Sequence, residues 1–490
     1  MAIPTFGKSA EKGKGGAPLN VTESFVTLMM PFAYHEAKKF KFYEALKREQ
    51  YHFFTLDQLA LQHQYYGDVT ILHEELDQHF LPYVERRLFP KKESPDNFLR
   101  YSKAMDVSLN MSVHQRTYAF HVMSVDVVLC PFQLGFLTIR LKLDETVPVN
   151  EAIDFIHHMR ILEPKLPDEK GMHIFNDRHT FDSVSDMIFK LLCPVLHDYV
   201  NHDAVRGGYF GSLPFFEDER MFASAYIDVD QEPTTHELYR LSQLDGLDRH
   251  GRDIVSAEND DYIKQYVESH IGDRFSPKIT KLMTEHLYMS IARPQADTSI
   301  RQTAKSYFMS IEYYHLLLHY FYKVTLLKLA FQYSEISILH DQDYTAQLME
   351  HIDQFSASYY FNEISSRSTG IELAERLKAI FKVDVQYDEV KNTLESLYRT
   401  QQNASEGRQN SLLFMLTIFT VVSGIYGMNL IIEDWKDGFQ LSEMSKYSLF
   451  EWICFLTAII GIAVSVVLIV TSGYRKGEML IRKWKRKKYE

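Results

Sequence analysis

Cysteine is scarce in this chain, and the cysteines that occur form no recognisable pattern. The 490 residues contain three of them, and Cys130, Cys193 and Cys454 lie far apart without a Cys-x-x-Cys pair. This distribution excludes a disulfide framework and a zinc-finger spacing, and it fits a reducing compartment. Catalytic patterns are missing as well, because no Gly-x-Ser-x-Gly, His-Glu-x-x-His or Ser-His-Asp arrangement occurs. We therefore expect neither an enzymatic activity nor a cofactor.

Acidic residues outnumber basic ones in the chain as a whole, but not at its C-terminus. The net charge is −12, but residues 475–490 contain eight Lys or Arg against two acidic residues, which leaves −18 for residues 1–474. So acidic a body argues against nucleic-acid binding and is compatible with cation binding. The segment 1–22 lacks the apolar core of a signal peptide, so we expect a disordered N-terminal tail there.

Two long uncharged runs, Ser411–Ile432 and Trp452–Tyr474, lie near the C-terminus. A helix of about 22 residues spans about 33 Å, which is enough for the hydrocarbon core of a bilayer. The two runs predict a transmembrane hairpin over residues 411–474; the alternative is a buried helical pair of a soluble enzyme. The polybasic tail that follows predicts cytoplasmic N- and C-termini in a cell (plasma or inner) membrane.

One face of the first run, continued back to Asn403, is polar or small at every position except Leu413. Stepping back from Gly427 at alternating intervals of three and four gives Gly424, Thr420, Thr417, Leu413, Asn410, Glu406 and Asn403. Polar groups avoid hydrocarbon and turn towards a bundle interior or a water path. This face therefore predicts the wall of a hydrophilic pore between several copies of the chain, with helix packing through small residues as the alternative.

The tetrapeptide Tyr426-Gly427-Met428-Asn429 ends this run and follows Gly424-Ile425. It resembles the signature of the CorA family of divalent-cation channels, of the type with two transmembrane helices and a Gly-Met-Asn motif. The resemblance implies a funnel-shaped homopentamer that carries Mg²⁺ into the cytoplasm, with the tetrapeptide as selectivity filter. A ring of Asn429 side chains would then contact the hydrated ion. The chain departs from the family pattern because its loop lacks the acidic Met-Pro-Glu-Leu stretch and its first membrane helix lacks a proline.

Acidic residues outside the apolar runs supply further candidate sites. Glu433, Asp434 and Asp437 follow the tetrapeptide and form either an electronegative outer mouth or an ordinary solvated loop. The resemblance also implies that the carried ion holds the assembly closed by bridging carboxylates between neighbouring copies. The candidate bridging residues are Glu258, Asp260, Asp261, Asp341, Asp343, Asp384 and Asp388.

Two other functions compete with magnesium transport. The first is transport of Zn²⁺, Co²⁺ or Ni²⁺ by the same fold, and the second is a membrane-anchored cation sensor or scaffold that transports nothing. Glu312, His315 and His319 share one helix face at a spacing compatible with metal ligation. The aromatic residues around them favour instead a histidine cluster in the core.

The rest of the chain predicts an α/β cytoplasmic domain over residues 23–250 and a helical stalk over residues 251–410, with the C-terminal polybasic tail at 475–490. Apolar alternation predicts strands within 117–143 and at Phe222–Val229. Helical periodicity and the positions of Gly and Pro predict helices at Glu74–Phe89, Val149–Leu162, Ser183–Val200, Thr298–Leu339, Asp343–Ser366 and Ile371–Asn410. The last of these leads directly into the first apolar run.

Overall fold

The computed structural model describes most of the chain before residue 428 and scattered positions after it. The described residues are 18–58, 63–71, 73–114, 116–167, 169–201, 220–272, 274–334 and 342–427, with 448, 449, 452, 453, 456, 459, 460, 463 and 466. Contacts divide the chain into two compact units, Met1–Asn392 and Thr393–Glu490.

A mixed β-sheet forms the centre of the first unit. Its strands in the described part of the chain are β1 (Asn20–Ala33), β2 (His52–Phe53), β3 (Leu99–Val113), β4 (Arg116–Cys130), β5 (Leu134–Leu143), β6 (Val147–Pro148), β7 (His173–Phe175), β8 (Thr180–Phe181), β9 (Phe222–Val229), β10 (Ile271–Gly272), β11 (Ile279–Met283) and β12 (Leu287–Ala292). Their order is β10-β11-β12-β9-β1-β5-β4-β3-β7-β8, while β2 pairs with β3 and β6 with β1. The pair β9 and β12 is parallel.

The central strands are buried on both faces. Every residue of β9 is buried, and in β5 Lys142 alone is partly exposed. The predicted strands at 117–143 and Phe222–Val229 are confirmed. However, Thr138 and Arg140, which alternate with Ile139 and Leu141 in the sequence, are as buried as those apolar neighbours. The sheet therefore has helices or loops on both sides, which is why strict alternation does not identify an exposed face.

The described residues up to Gly427 form twelve α-helices. They are α1 (Lys39–Arg48), α2 (His73–His79), α3 (Pro82–Leu88), α4 (Val149–Met159), α5 (Val184–Met187), α6 (Thr235–Gln243), α7 (Asp260–His270), α8 (Thr298–Tyr307), α9 (Tyr313–Ser334), α10 (Gln342–Ser358), α11 (Ser368–Ile380) and α12 (Val383–Gly427). A π-helical turn, Phe308–Glu312, joins α8 to α9. The predicted helix at Thr298–Leu339 is thus confirmed as far as Ser334, and residues 335–339 lie outside the described part.

Several predicted helices have different limits in the structure. Helix Glu74–Phe89 is divided into α2 and α3, because Pro82 occupies the first position of a new helix. Helix Ser183–Val200 is divided into three short elements. They are α5, a π-helical turn at Ile188–Leu192 and a 3-10 helix that begins at Pro194. The predicted helix Asp343–Ser366 ends early, at Ser358. The predicted helix Ile371–Asn410 is divided into α11 and α12, because the chain turns at Lys382, whose φ is 53°.

The fold class predicted from the sequence is wrong for the part of the chain that the structure describes. The predicted helical stalk contributes β10, β11 and β12 to the large sheet. Of the described helices, none is both long and apolar enough to cross a membrane. The described part of α12 from Ser411 to Gly427 contains Thr417 and Thr420 and so is not apolar throughout. This finding contradicts three predictions. They are the CorA-like funnel with a two-helix membrane hairpin, the description as a transmembrane channel, and the location in a cell membrane.

Candidate functional site

Helix α12 carries the residues that the sequence predicts as a pore wall. The helix runs unbroken over 45 residues. The following members of its polar face are all exposed: Asn403, Glu406, Asn410, Leu413, Thr417, Thr420 and Gly424. A Cβ added at Gly424 would meet no described atom within 4 Å. This series, called the polar face below, is therefore open along its described length.

Two of the four residues of the predicted filter, Tyr426 and Gly427, belong to the described part of the chain. The backbone of Tyr426 and Gly427 forms the last turn of α12. Met428 and Asn429 lie outside the described residues, as do Glu433, Asp434 and Asp437 of the predicted outer mouth. Their roles stay predictions.

The two threonines of the polar face bond to their own helix. The Thr417 hydroxyl donates to the Leu413 carbonyl at 2.8 Å, and the Thr420 hydroxyl donates to the Leu416 carbonyl at 2.8 Å. Each hydroxyl proton is therefore committed to the backbone, while the lone pairs of Oγ1 remain available as acceptors. About three turns before Thr417, Glu406 accepts a hydrogen bond from the Gln402 amide at 3.0 Å.

Apolar side chains on the remaining surface of α12 are exposed as well. Leu412, Leu416 and Phe419 are 64%, 63% and 48% exposed. Exposure in a single chain therefore does not distinguish the polar face from the rest of the helix. Contiguous exposed hydrocarbon usually marks an interaction surface.

The candidate regulatory carboxylates are solvent-exposed where they are described. Glu258, Asp260 and Asp261 lie at the N-terminus of α7, where Asp260 pairs with His236 at 3.0 Å. Asp384 and Asp388 lie one turn apart at the start of α12, and Asp384 accepts a hydrogen bond from Tyr360. Asp341 is outside the described residues, and of Asp343 only the backbone is described. Within the described residues, no group of three His, Cys, Asp or Glu is arranged to hold a metal ion.

The Glu312, His315 and His319 series is a buried core cluster. Glu312 ends the π-helical turn and pairs with Lys281 at 2.6 Å. His315 Nε2 lies 3.0 Å from His79 Nε2, and His319 Nδ1 lies 2.7 Å from the His315 carbonyl oxygen. Burial, first of all, lowers the pKa of His79 and of His319 to about 4 and that of His315 well below its usual value. The three residues thus engage different partners and do not form a metal site.

A buried charge cluster is the feature that the sequence analysis missed. Asp126 on β4 binds Arg140 of β5 at 2.6 Å and Arg100 of β3 at 3.0 Å, and all three side chains are almost fully buried. Arg100 also donates to the Tyr314 hydroxyl at 2.7 Å, which connects the sheet to α9. Burial alone would raise the pKa of Asp126, but the two guanidinium groups outweigh it and hold this pKa below its usual value. The cluster anchors a helix on the sheet.

Only one sequence signal could have indicated this cluster. Arg140 is a charged residue between the apolar residues Ile139 and Leu141. Its two partners come from other strands, and their proximity depends on strand register, in which Asp126 lies opposite Ser102 and Thr138. A single sequence does not contain that register.

Comparison with known proteins returned no match, neither to a protein-family model nor to a curated protein. The resemblance of Tyr426–Asn429 to the CorA signature therefore stays a prediction.

Proposed function

We propose that several copies of this chain together select hydrated Mg²⁺ and conduct it along the polar face of α12, with Asn429 contacting the water shell of the ion. The observation that carries this proposal is the hydrogen bonding of Thr417 and Thr420, whose hydroxyl protons are donated to helix carbonyls. Mg²⁺ gives up its water reluctantly, so the surface that it meets must accept hydrogen bonds from that water. The two Oγ1 atoms have lone pairs that can accept such bonds.

The other members of the polar face have the same chemistry. Asn403, Glu406 and Asn410 are exposed and carry acceptor oxygens. A neutral amide such as Asn429 binds a divalent ion more weakly than a carboxylate, and weak binding is what permits release after selection. The net charge of −18 on residues 1–474 would raise the local concentration of cations.

Self-association follows from the exposed hydrocarbon of α12. Leu412, Leu416 and Phe419 would be covered if copies of the helix packed side by side, and the polar faces would then enclose a common axis. The resemblance to CorA-like proteins implies five copies.

The test is ion flux by the purified full-length protein, reconstituted with lipid vesicles that enclose a Mg²⁺-sensitive dye. We expect Mg²⁺ entry, and we expect Asn429→Ala and Gly427→Ala to abolish it while the protein remains folded. Gln401→Ala is the matched control, because Gln401 is an exposed amide on α12 outside the polar face; its flux should equal that of the unmodified chain. An absence of flux, or full flux in Asn429→Ala, would refute the proposal.

A second candidate is a cation sensor or scaffold without transport. The exposed Asp384 and Asp388, one turn apart at the start of α12, favour it. In this case Mg²⁺ would bind to the protein without flux.

The same vesicles, challenged with Zn²⁺, Co²⁺ and Ni²⁺, would identify transport of another metal.

A further inference from the structure

A cavity of about 390 Å³ lies in the first unit, and none of its described lining residues belongs to α12. One wall is a face of the sheet, formed by the alternate β11 residues Ile279, Lys281 and Met283. Helices α8 and α11 also line it, with Ala304 and Leu373 among their contributions. The volume is within the range of small-molecule sites.

The body of the cavity is hydrocarbon. Ile279, Met283, Ile300, Ala304 and Leu373 all border it. An unpaired polar group against such a wall would lose its hydrogen bonds to water. The part of a ligand that fills this space must therefore be apolar.

The deep end of the cavity is polar, but its groups bond to one another. Lys281 Nζ donates to Glu312 Oε1 at 2.6 Å and to Ser290 Oγ at 2.8 Å. The Tyr288 hydroxyl, which also borders the cavity, donates to the Glu312 carboxylate. The Lys281 and Glu312 side chains are only 10% and 9% exposed. The polar group of a ligand is thus not expected at this end.

The solvent side of the cavity is cationic. Arg274, Glu372 and Arg376 border it, and their side chains are 40%, 36% and 36% exposed. Glu372 lies 2.9 Å from Arg274 Nη1 and 3.5 Å from Arg376 Nε, so two guanidinium groups share one carboxylate. Burial lowers the pKa of His79, another lining residue, to about 4, so its ring is uncharged at neutral pH. Among the described lining residues, one positive charge therefore has no counter-charge.

Both arginines keep N–H groups that the described residues do not use. Arg274 donates to Glu372 and, through Nη2, to Ser368 Oγ at 2.7 Å. Arg376 donates through Nη1 to the Ile271 carbonyl at 2.7 Å. A guanidinium group has further donors beyond these, and its planar fork matches the two oxygens of a carboxylate. A protonated amine would instead meet like charge at this place.

We propose that this cavity binds a monocarboxylate with an apolar body, such as a medium-chain fatty acid. The apolar body packs between β11, α8 and α11, and the carboxylate accepts hydrogen bonds from Arg274 and Arg376 at the solvent side. The site does not depend on the ion-conducting role of α12, and either proposal can fail without the other.

The probes are octanoate, octanamide and octylamine, which carry the same apolar chain. Octanamide has nearly the shape of octanoate without its charge, and octylamine has the opposite charge. Binding to the full-length protein is measured by equilibrium dialysis with mass-spectrometric detection of the probe. Because hydrogen bonds between charged groups are among the stronger ones, we expect octanoate to bind at least about tenfold more tightly than either other probe. Equal affinities, or failure of octanoate to bind up to its solubility limit, would overturn the proposal.

The double variant Arg274→Gln, Arg376→Gln tests the polar contact. Both arginines are partly exposed, so the loss of their pairing with Glu372 should cost little stability. The solvent side then keeps the negative charge of Glu372, and octylamine should bind more tightly than octanoate. Arg252→Gln is the matched control, because Arg252 is exposed, pairs with Asp248 and is not among the described lining residues; it should leave all three affinities unchanged. A preference for octanoate retained by the double variant would overturn the proposal.

Two narrowing variants test where the apolar chain lies. Ala304→Phe fills the cavity from α8, and Leu373→Trp does so from α11, so that one serves if the other does not fold, as judged by circular dichroism. Each should weaken octanoate and octanamide alike, at least about tenfold. Affinities that a folded narrowing variant leaves unchanged would place the probe elsewhere and contradict the proposal.

Discussion

The sheet of the first unit and the C-terminal half of α12 place their side chains in opposite ways. In the sheet, charged groups such as Asp126, Arg140 and Lys281 are buried, and each has a counter-charge from another element. On α12, Leu412 and Leu416 are about two thirds exposed. The buried charges of the sheet are thus paired within the chain. Contiguous exposed hydrocarbon, as on α12, usually marks an interaction surface.

The largest expected effect concerns the charge cluster of the sheet. Asp126→Ala leaves Arg100 and Arg140 buried without their counter-charge, and we expect a loss of about 3–5 kcal/mol in the free energy of unfolding. Urea unfolding followed by circular dichroism measures it. Asp182→Ala is the control, because Asp182 is 80% exposed and should cost little. Equal losses in the two variants would show that the cluster does not hold the sheet together.

The next effect is a dependence of stability on pH. The pKa of His79 is about 4 in the folded chain, mainly because of burial, against about 6.5 when unfolded. The unfolded state therefore binds the proton first, and stability falls as the pH drops from about 6.5 to about 4, by about 3 kcal/mol for this residue. Above pH 6.5 the contribution is constant.

Unfolding of the unmodified chain and of His79→Gln, each measured at pH 7.5, 5.5 and 4.5, tests this dependence. His79→Gln should flatten the pH slope, whereas His250→Gln, at an exposed position, should leave it unchanged. An identical slope in all three proteins would mean that His79 is not responsible.

A smaller effect is expected on the assembly of α12. Leu412→Gln and Leu416→Gln replace exposed hydrocarbon, and each should weaken self-association of the full-length protein by about tenfold or more, since burial of a leucine contributes about 1.5–3 kcal/mol. Analytical ultracentrifugation gives the dissociation constant. Val385→Gln, 61% exposed on the first turn of the same helix, should have no effect. A chain that is monomeric throughout would contradict the comparison.

What the sequence predicted well depends on local pattern, and what it missed depends on tertiary contact. The strand at Phe222–Val229 and the helix from Thr298 were confirmed because several consecutive residues carry the same signal. The three short strands β10, β11 and β12 were missed because Tyr262–Ala292 contains brief apolar runs that periodicity does not separate from helix.

The candidate sites show the same division. The polar face of α12 is a helical repeat, and the structure places its residues on one continuous helix. The cavity between β11, α8 and α11 is lined by residues from His79 to Arg376, and only the packing of these elements brings Lys281 to Glu312. The membrane hairpin was predicted from uncharged length alone, and the described helices do not bear it out.

Thiol accessibility is the measurement that tests the central claim most directly, namely that copies of α12 associate through their apolar surface and keep the polar face open to water. Single cysteines are introduced at Thr417, Thr420, Leu416 and Phe419 in a Cys454→Ser background, since Cys130 and Cys193 are buried. All four positions are exposed in one chain, so any protection reports assembly. The account predicts rapid labelling by a charged thiol reagent at 417 and 420, and labelling at least about tenfold slower at 416 and 419. Equal labelling at all four positions, or protection of the threonine positions alone, would contradict it.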